Sequence, residues 1–221
     1  MRNHISYRSG NPALSSNSFN DVASSSKDVM TLEGAVNKTI LCLGLLITSG
    51  IYSFNNYEVW MGLAIPLLIG GLIIAIATVI KKAWSPVTAP LYAVVEGLLL
   101  GAISMGFEKM FDGIVFQAIY LTFGIFLALL FLYKFRIIEP TENFKLGVAA
   151  GTGGIFLLYM ISFIMSFFGA SIPVLDPFNS SIMSIGISVF IVIMASLNLV
   201  LDFDFIEAGA ENSAPRYMEW Y

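Results

Sequence analysis

Charged residues are scarce in this sequence: Asp, Glu, Lys and Arg make up only 12% of its 221 residues, whereas 57% are hydrophobic. Soluble domains are about 25% charged and about 45–50% apolar. Because so little charge cannot cover a surface that faces water, the composition excludes an ordinary soluble domain and indicates a protein that lies in a lipid bilayer. The formal net charge of −4 gives no indication of nucleic-acid binding.

Cysteine and histidine are almost absent. The one cysteine, Cys42, cannot form an internal disulfide, and its place in the first apolar run is typical of a small hydrophobic residue. The one histidine, His4, lies in a polar N-terminal stretch, where we expect no metal role. No candidate Cys/His pair, no His-Glu-x-x-His and no Gly-x-Ser-x-Gly motif is present. The sequence therefore predicts neither an enzyme nor a bound cofactor.

Long hydrophobic runs are abundant instead. Six of them approach the ~20 residues that cross a ~30 Å hydrocarbon core, and backbone groups in lipid must be satisfied within each run, which requires helices. The runs lie near residues 36–54, 59–80, 87–107, 114–134, 146–169 and 181–201. We expect residues 1–33, rich in Ser and Asn, to form a mobile polar tail, and residues 34–221 to form the membrane bundle.

The last residues have the pattern of another helix entry. Residues 215–221 follow a turn rich in Gly, Asn, Ser and Pro, so we expect a seventh helix to begin there and to continue beyond Tyr221. The predicted fold class is thus an all-α integral membrane protein, with six transmembrane helices of a seven-helix bundle.

Basic residues predict the orientation. With a cytoplasmic N-terminus, the outside loops carry only Lys109, and the positive-inside rule is obeyed. The inside segments carry Lys27, Lys38, Lys81, Lys82, Lys134, Arg136, Lys145 and Arg216. We therefore expect a multi-pass protein of the cell (inner) membrane, with the N-terminus in the cytoplasm.

Two ionisable residues inside the apolar runs are candidates for function, because charge is costly in a membrane. Glu96 lies in the middle of the third run, where it either bonds across to another helix or relays an ion or proton. Asp202 lies at the predicted cytoplasmic end of the sixth run. At about 100° per residue, Asp204 points away from Asp202 and is expected to face solvent or cap a neighbour.

A polar stripe leads to Asp202. Relative to Asp202, Ser184 lies at about 0°, Ser188 at about +40° and Asn198 at about −40° around the helix. Such a stripe either lines a polar path or joins helices by hydrogen bonds, and the geometry favours neither. The spacing of Gly97 and Gly101, and that of Gly147 and Gly151, predicts close helix packing.

Five segments of the sequence resemble the bacterial branch of the Bax inhibitor family, the transmembrane Bax inhibitor motif proteins. They are Asn-Pro-Ala-Leu at 11–14, residues 92–104, Ile-Glu-Pro-Thr at 138–141, Leu-Asp-Phe-Asp-Phe-Ile-Glu at 201–207 and Ala-Pro-Arg-Tyr-Met-Glu-Trp-Tyr at 214–221. The resemblance covers nearly the whole chain. It implies a seven-helix fold with a central helix and a pH-sensitive calcium leak across the membrane.

The resemblance also implies roles for particular residues. Asp202 matches an aspartate that pairs with a carboxylate of the last helix, which here would lie beyond Tyr221. Lys81 or Lys82 occupies the region of a basic latch, although lysine cannot make the bidentate contact of arginine; their alternative role is topological. Two close carboxylates cannot both ionise cheaply, so one keeps a proton near neutral pH. Calcium prefers carboxylate oxygens, which makes Asp202, and less so Asp204, a candidate ligand of the permeant ion.

Three interpretations remain open at this point. The first is a pH-sensitive calcium or cation leak channel gated by Asp202. The second is a membrane regulator without a channel, which binds and modulates partner proteins such as membrane proteases, as the resemblance also implies. The third is a secondary transporter, for which Pro66 and Pro90 supply no matching inverted repeat.

Overall fold

The computed structural model describes residues 29–176 and 178–221, and over these residues the regular secondary structure is helical, with an isolated β-bridge between Val29 and Pro215. The α-helices are α1 (Leu32–Asn55), α2 (Tyr57–Gly62), α3 (Ala64–Ile80), α4 (Ser85–Glu108), α5 (Ile114–Lys134), α6 (Glu142–Ser166) and α7 (Ile182–Glu211). Short 3-10 turns cover Lys82–Trp84, Pro173–Leu175 and Arg216–Glu219. The expected mobile tail, with His4 and residues 11–14, lies outside the described residues apart from residues 29–33.

The predicted fold class is confirmed: the chain is an all-α, multi-pass membrane protein. Five helical stretches are long and apolar enough to cross a membrane, and α3 is a shorter apolar helix. The run expected at 59–80 is divided at Leu63 into α2 and α3. Pro66 explains the break, because it has no N–H to donate and its ring would clash with the carbonyl of residue 62 in a continuous helix.

The sixth apolar run forms a longer helix than its composition predicts. The expected end was residue 201, but α7 continues through the acidic run to Glu211. Asp202 and Asp204 therefore lie inside a helix instead of at its end. The acidic residues lower the hydropathy of this stretch without breaking the helix, since neither glycine nor proline occurs between residues 187 and 208.

The chain divides into two compact units. The first unit contains residues 29–123 and 206–221, and the second contains residues 124–205. In the first unit, α1 and α4 pack through small residues. A Cβ atom at Gly97 would overlap the Ser49 hydroxyl, and one at Gly101 would overlap the carbonyl of Gly50. The close packing predicted from the Gly97 and Gly101 spacing is confirmed.

The buried core of the second unit lies between α6 and α7. Val148, Met194 and Leu201 are buried there. A Cβ atom at Gly151 would overlap the end of the Met194 side chain, whereas one at Gly147 would meet no other atom within 4 Å. At Gly151 the missing side chain makes room for Met194, whereas Gly147 has no close neighbour. The close packing predicted from this glycine pair is therefore found at Gly151 and not at Gly147.

Candidate functional site

Asp202 holds a buried polar atom without a partner. Its Oδ1 atom is buried and makes no hydrogen bond in the described part of the chain. The residue as a whole is half-buried and follows Leu201, which is 2% exposed. Buried polar atoms in folded proteins are almost always hydrogen-bonded, so each exception needs an explanation. An oxygen atom of this kind is available to accept a bond from a proton, a water molecule or a cation.

The residues of the predicted polar stripe have different surroundings along α7. Ser184 is buried, and its hydroxyl donates to the carbonyl of Val174 at 2.9 Å. Ser188 is exposed. The Asn198 amide donates to Thr152 Oγ1 at 2.7 Å and to the carbonyl of Met194 at 2.9 Å. Two of the three polar residues, Ser184 and Asn198, thus form hydrogen bonds within the second unit. Helical spacing predicts the direction of each side chain, but its hydrogen-bond partner depends on the residues packed around it.

Asp204 forms an ion pair that the sequence analysis missed. Lys145 Nζ donates to Asp204 Oδ2 at 2.7 Å, with side-chain exposures of 6% for the lysine and 23% for the aspartate. The lysine comes from the first turn of α6, where the Thr141 hydroxyl caps the helix by accepting from the Phe144 N–H at 3.3 Å. From the sequence, Lys145 is predicted only to be one of the basic residues that set the orientation. Lys145 directly precedes the apolar run expected at 146–169, and a lysine next to such a run is the signal for a buried partner.

Glu96 belongs to the first unit and lies on α4, facing α3. A Cβ atom at Gly71 would lie 3.7 Å from Glu96 Oε2 and 3.9 Å from the ring of Tyr92. Gly71 is buried, so the missing side chain makes room for the carboxylate between the two helices. This position suits both roles considered for Glu96, a bond across to another helix and a relay.

The two latch candidates also belong to the first unit, and both lie over aromatic rings. Lys81 Nζ is 4.4 Å from the ring centre of Trp84, and Lys82 Nζ is 5.8 Å from that of Tyr221. Both distances are within the ~6 Å of a cation–π contact. Lys81 is exposed and Lys82 is half-buried. Lys82 therefore contacts a residue distant in the sequence, whereas the aromatic contact of Lys81 is with a residue of the next turn.

A second buried carboxylate, Glu219, was not singled out from the sequence. It is 7% exposed and pairs with Lys38 of α1. Its Oε1 atom also accepts from the Thr31 N–H at 2.9 Å and from the Thr31 hydroxyl at 3.0 Å. Burial alone would raise the pKa of Glu219, but these bonds from Lys38 and Thr31 outweigh it and hold the pKa below its ordinary value.

Further bonds hold residues 214–221, named here the terminal segment, within the first unit. The Met30 N–H donates to the carbonyl of Ala214 at 2.7 Å. The buried Ser85 hydroxyl donates to the carbonyl of Tyr217 at 2.8 Å. Together with Glu219, these contacts attach the terminal segment to both α1 and α4.

A cavity of about 340 Å³ lies beside the terminal segment in the first unit. Its walls come from α1, α4 and the terminal segment, and they are mostly apolar. The lining residues are Lys38, Thr39, Cys42, Leu43, Leu46, Ala89, Tyr92, Ala93, Glu219 and Trp220. The charges of Lys38 and Glu219 neutralise each other at its wall, so the cavity has no free charge with which to select an ion.

The described residues contain no group of three or more His, Cys, Asp or Glu side chains that could together hold a metal ion. Asp202 and Asp204 belong to no such group among the residues that the structure describes.

Comparison with known proteins gives the family. A family model described as Bax inhibitor 1 like matches residues 11–221, almost the whole chain. No curated protein and no solved structure matches in the parallel comparisons. The matched region includes every candidate residue on α4, α6, α7 and the terminal segment, and on this evidence the chain belongs to the Bax inhibitor 1 like family.

Proposed function

We propose that this protein is a pH-sensitive leak channel for calcium or other cations, gated by the carboxyl group of Asp202. The observation that carries the proposal is the buried Asp202 Oδ1 atom, which has no hydrogen-bond partner in the described residues. It lies on α7, a helix long and apolar enough to cross a membrane. An ionisable side chain in such a place is expensive to keep and is by default a candidate for ion or proton transfer.

The chemistry of a carboxyl group links cation passage to pH. A deprotonated Asp202 offers an anionic oxygen ligand of the type that calcium prefers, whereas a protonated one offers no charge. Deprotonation of Asp202 therefore favours ion entry and slows ion release, because an ion must bind well enough to enter the site and weakly enough to leave it. A carboxyl group whose charge changes with pH can meet the two conditions at different pH values.

We also propose where the protein lies in the cell and that it is not an enzyme. We place the protein in the cell (inner) membrane with the N-terminus in the cytoplasm, as the distribution of basic residues indicates. The protein acts on permeant cations within the lipid bilayer, and it needs no cofactor. Glu96 and Lys82 are the further candidates for a relay and a latch.

Calcium flux into liposomes tests the function. The purified protein is reconstituted into liposomes loaded with a calcium indicator, and the initial rate of calcium entry is measured at pH 6 and at pH 8. Asp202→Asn keeps the shape of the side chain and removes its ability to ionise. We expect a flux above that of empty liposomes, a difference between the two pH values, and loss of that difference in the variant.

Absence of flux at either pH from properly folded protein would contradict the channel. In that case a regulator that binds partner membrane proteins, such as membrane proteases, becomes the better explanation. Capture of the same membrane partners by the wild type and by Asp202→Asn would then support the regulator.

A further inference from the structure

The helix that carries Asp202 carries a second carboxylate two residues later, and only the second one is paired. Asp204 Oδ2 accepts from Lys145 Nζ at 2.7 Å, whereas Asp202 Oδ1 has no partner among the described residues. Lys145 is 5% exposed, so its ammonium group is held beside Asp204 and away from water. The net charge of the pair is zero, whereas Asp202 has no charged partner in the part of the chain that the structure describes.

Buried ion pairs contribute little net stability, because desolvation of two charges offsets their attraction. Replacement of a buried ion pair by apolar residues of similar volume is often neutral or stabilising, and the buried Val148 and Leu201 already pack α6 against α7. The adjacent contact of the same two helices, between Asn198 and Thr152, already supplies a neutral polar bond. The charges of Lys145 and Asp204 therefore call for a role other than stability.

Building on the proposed function, we propose that Lys145 is a specificity-determining residue of the leak, which cancels the charge of Asp204 and so keeps calcium affinity low. On a helix, two residues are separated by about 3 Å along the axis, and their opposite directions put the two carboxylates roughly 10 Å apart. A charge at that distance still changes the energy of a divalent ion at Asp202, since a membrane helix excludes most of the screening water. A further uncompensated carboxylate at Asp204 would hold calcium longer and slow its release.

Charge-changing variants separate this role from a structural one. Relative to the neutral pair, Lys145→Met leaves a charge of −1, Asp204→Asn leaves +1, and the double variant leaves zero. Lys145→Arg preserves the pair and serves as the conservative control. The readout is potassium flux into liposomes that hold the reconstituted protein, measured against increasing calcium, and the calcium concentration that halves the flux reports calcium affinity.

The two single variants should move calcium affinity in opposite directions. We expect the half-blocking calcium concentration to fall about tenfold in Lys145→Met and to rise about tenfold in Asp204→Asn. The double variant and Lys145→Arg should both remain within about threefold of the wild type. If Lys145→Met does not fold, Lys145→Gln replaces it with the same expected direction.

Each other outcome overturns the inference. A shift in the same direction for both single variants, or a double variant worse than either, would show that the pair only supports the packing of α6 and α7. Unchanged calcium block in folded single variants would show that the charge of Asp204 does not reach the permeant ion. These results differ from failure of the leak itself, in which the wild type carries no flux and Asp202→Asn changes nothing.

Discussion

Replacing Glu219 by glutamine removes the charge that fastens the terminal segment to α1. The carboxylate accepts bonds from Lys38 and from the N–H and hydroxyl of Thr31, and its side chain is only 3% exposed. A hydrogen bond to a charged group contributes about 1.5–3 kcal/mol. Glutamine keeps one oxygen for Thr31, and Lys38, at 19% exposure, can turn partly towards water. We therefore expect Glu219→Gln to lower the free energy of unfolding by about 2 kcal/mol.

Thermal unfolding in detergent measures this loss. For a chain of this length, about 2 kcal/mol corresponds to a fall in Tm of roughly 4–8 °C. Cys42 is the one cysteine of the sequence and lines the cavity beside Glu219, so its reaction with a thiol-reactive dye reports the opening of this region. The matched control is Glu33→Gln, which removes the same charge from an exposed side chain in the first turn of α1. The control should cost less than about 1 kcal/mol.

The pH dependence of the same experiment has a definite sign. The pKa of Glu219 is lowered in the folded protein, because its bonds to Lys38 and Thr31 outweigh the effect of burial. Its contribution is therefore complete above the pKa of the unfolded state and is lost as the pH falls through the lowered pKa. The gap in Tm between wild type and Glu219→Gln should be full at neutral pH and close in acid. An equal effect of the two variants, or a gap that persists in strong acid, would refute the reasoning.

Two further variants test helix packing by the same melting assay. Gly101→Ala places a methyl group against the backbone of Gly50 and should cost about 1–3 kcal/mol, whereas Gly44→Ala, on a face of α1 with nothing within 4 Å, should be tolerated. A similar Tm for both glycine variants would contradict the close contact of α1 and α4. Thr152→Val removes the acceptor for the Asn198 amide and should cost about 0.6–1.7 kcal/mol. A Thr152→Val protein as stable as the wild type would show that Asn198 does not join α6 to α7.

Much of the fold could be predicted from the sequence, because bilayer thickness and backbone hydrogen bonding leave few choices for a long apolar run. The helix expected at 114–134 has the same bounds in the structure. The break at Leu63 and the extension of α7 to Glu211 were not predicted. Both depend on local backbone geometry, which hydropathy averages out. The close contact of α1 and α4 was predictable from Gly97 and Gly101, since only small residues permit it.

The candidate site was predictable in part. Helical spacing could identify Asp202 as an ionisable residue on an apolar helix, but it could not say that its Oδ1 atom lacks a partner. The pairs of Lys145 with Asp204 and of Lys38 with Glu219 join residues 59 and 181 positions apart, and no local pattern connects them. The positive-inside rule already accounts for both lysines, so the sequence does not by itself require that they pair with buried carboxylates.

The carboxyl group of Asp202 is the centre of the proposed leak, and one measurement tests its role directly. The ratio of calcium entry at pH 8 to that at pH 6 is determined in liposomes for the wild type, Asp202→Asn and the control Asp112→Asn. Asp112 lies exposed in the turn before α5, so its variant makes the same chemical change away from α7. We predict a pH-dependent ratio for the wild type and for Asp112→Asn, and a ratio near one for Asp202→Asn. An unchanged ratio in Asp202→Asn would contradict the claim that this carboxyl group gates the leak.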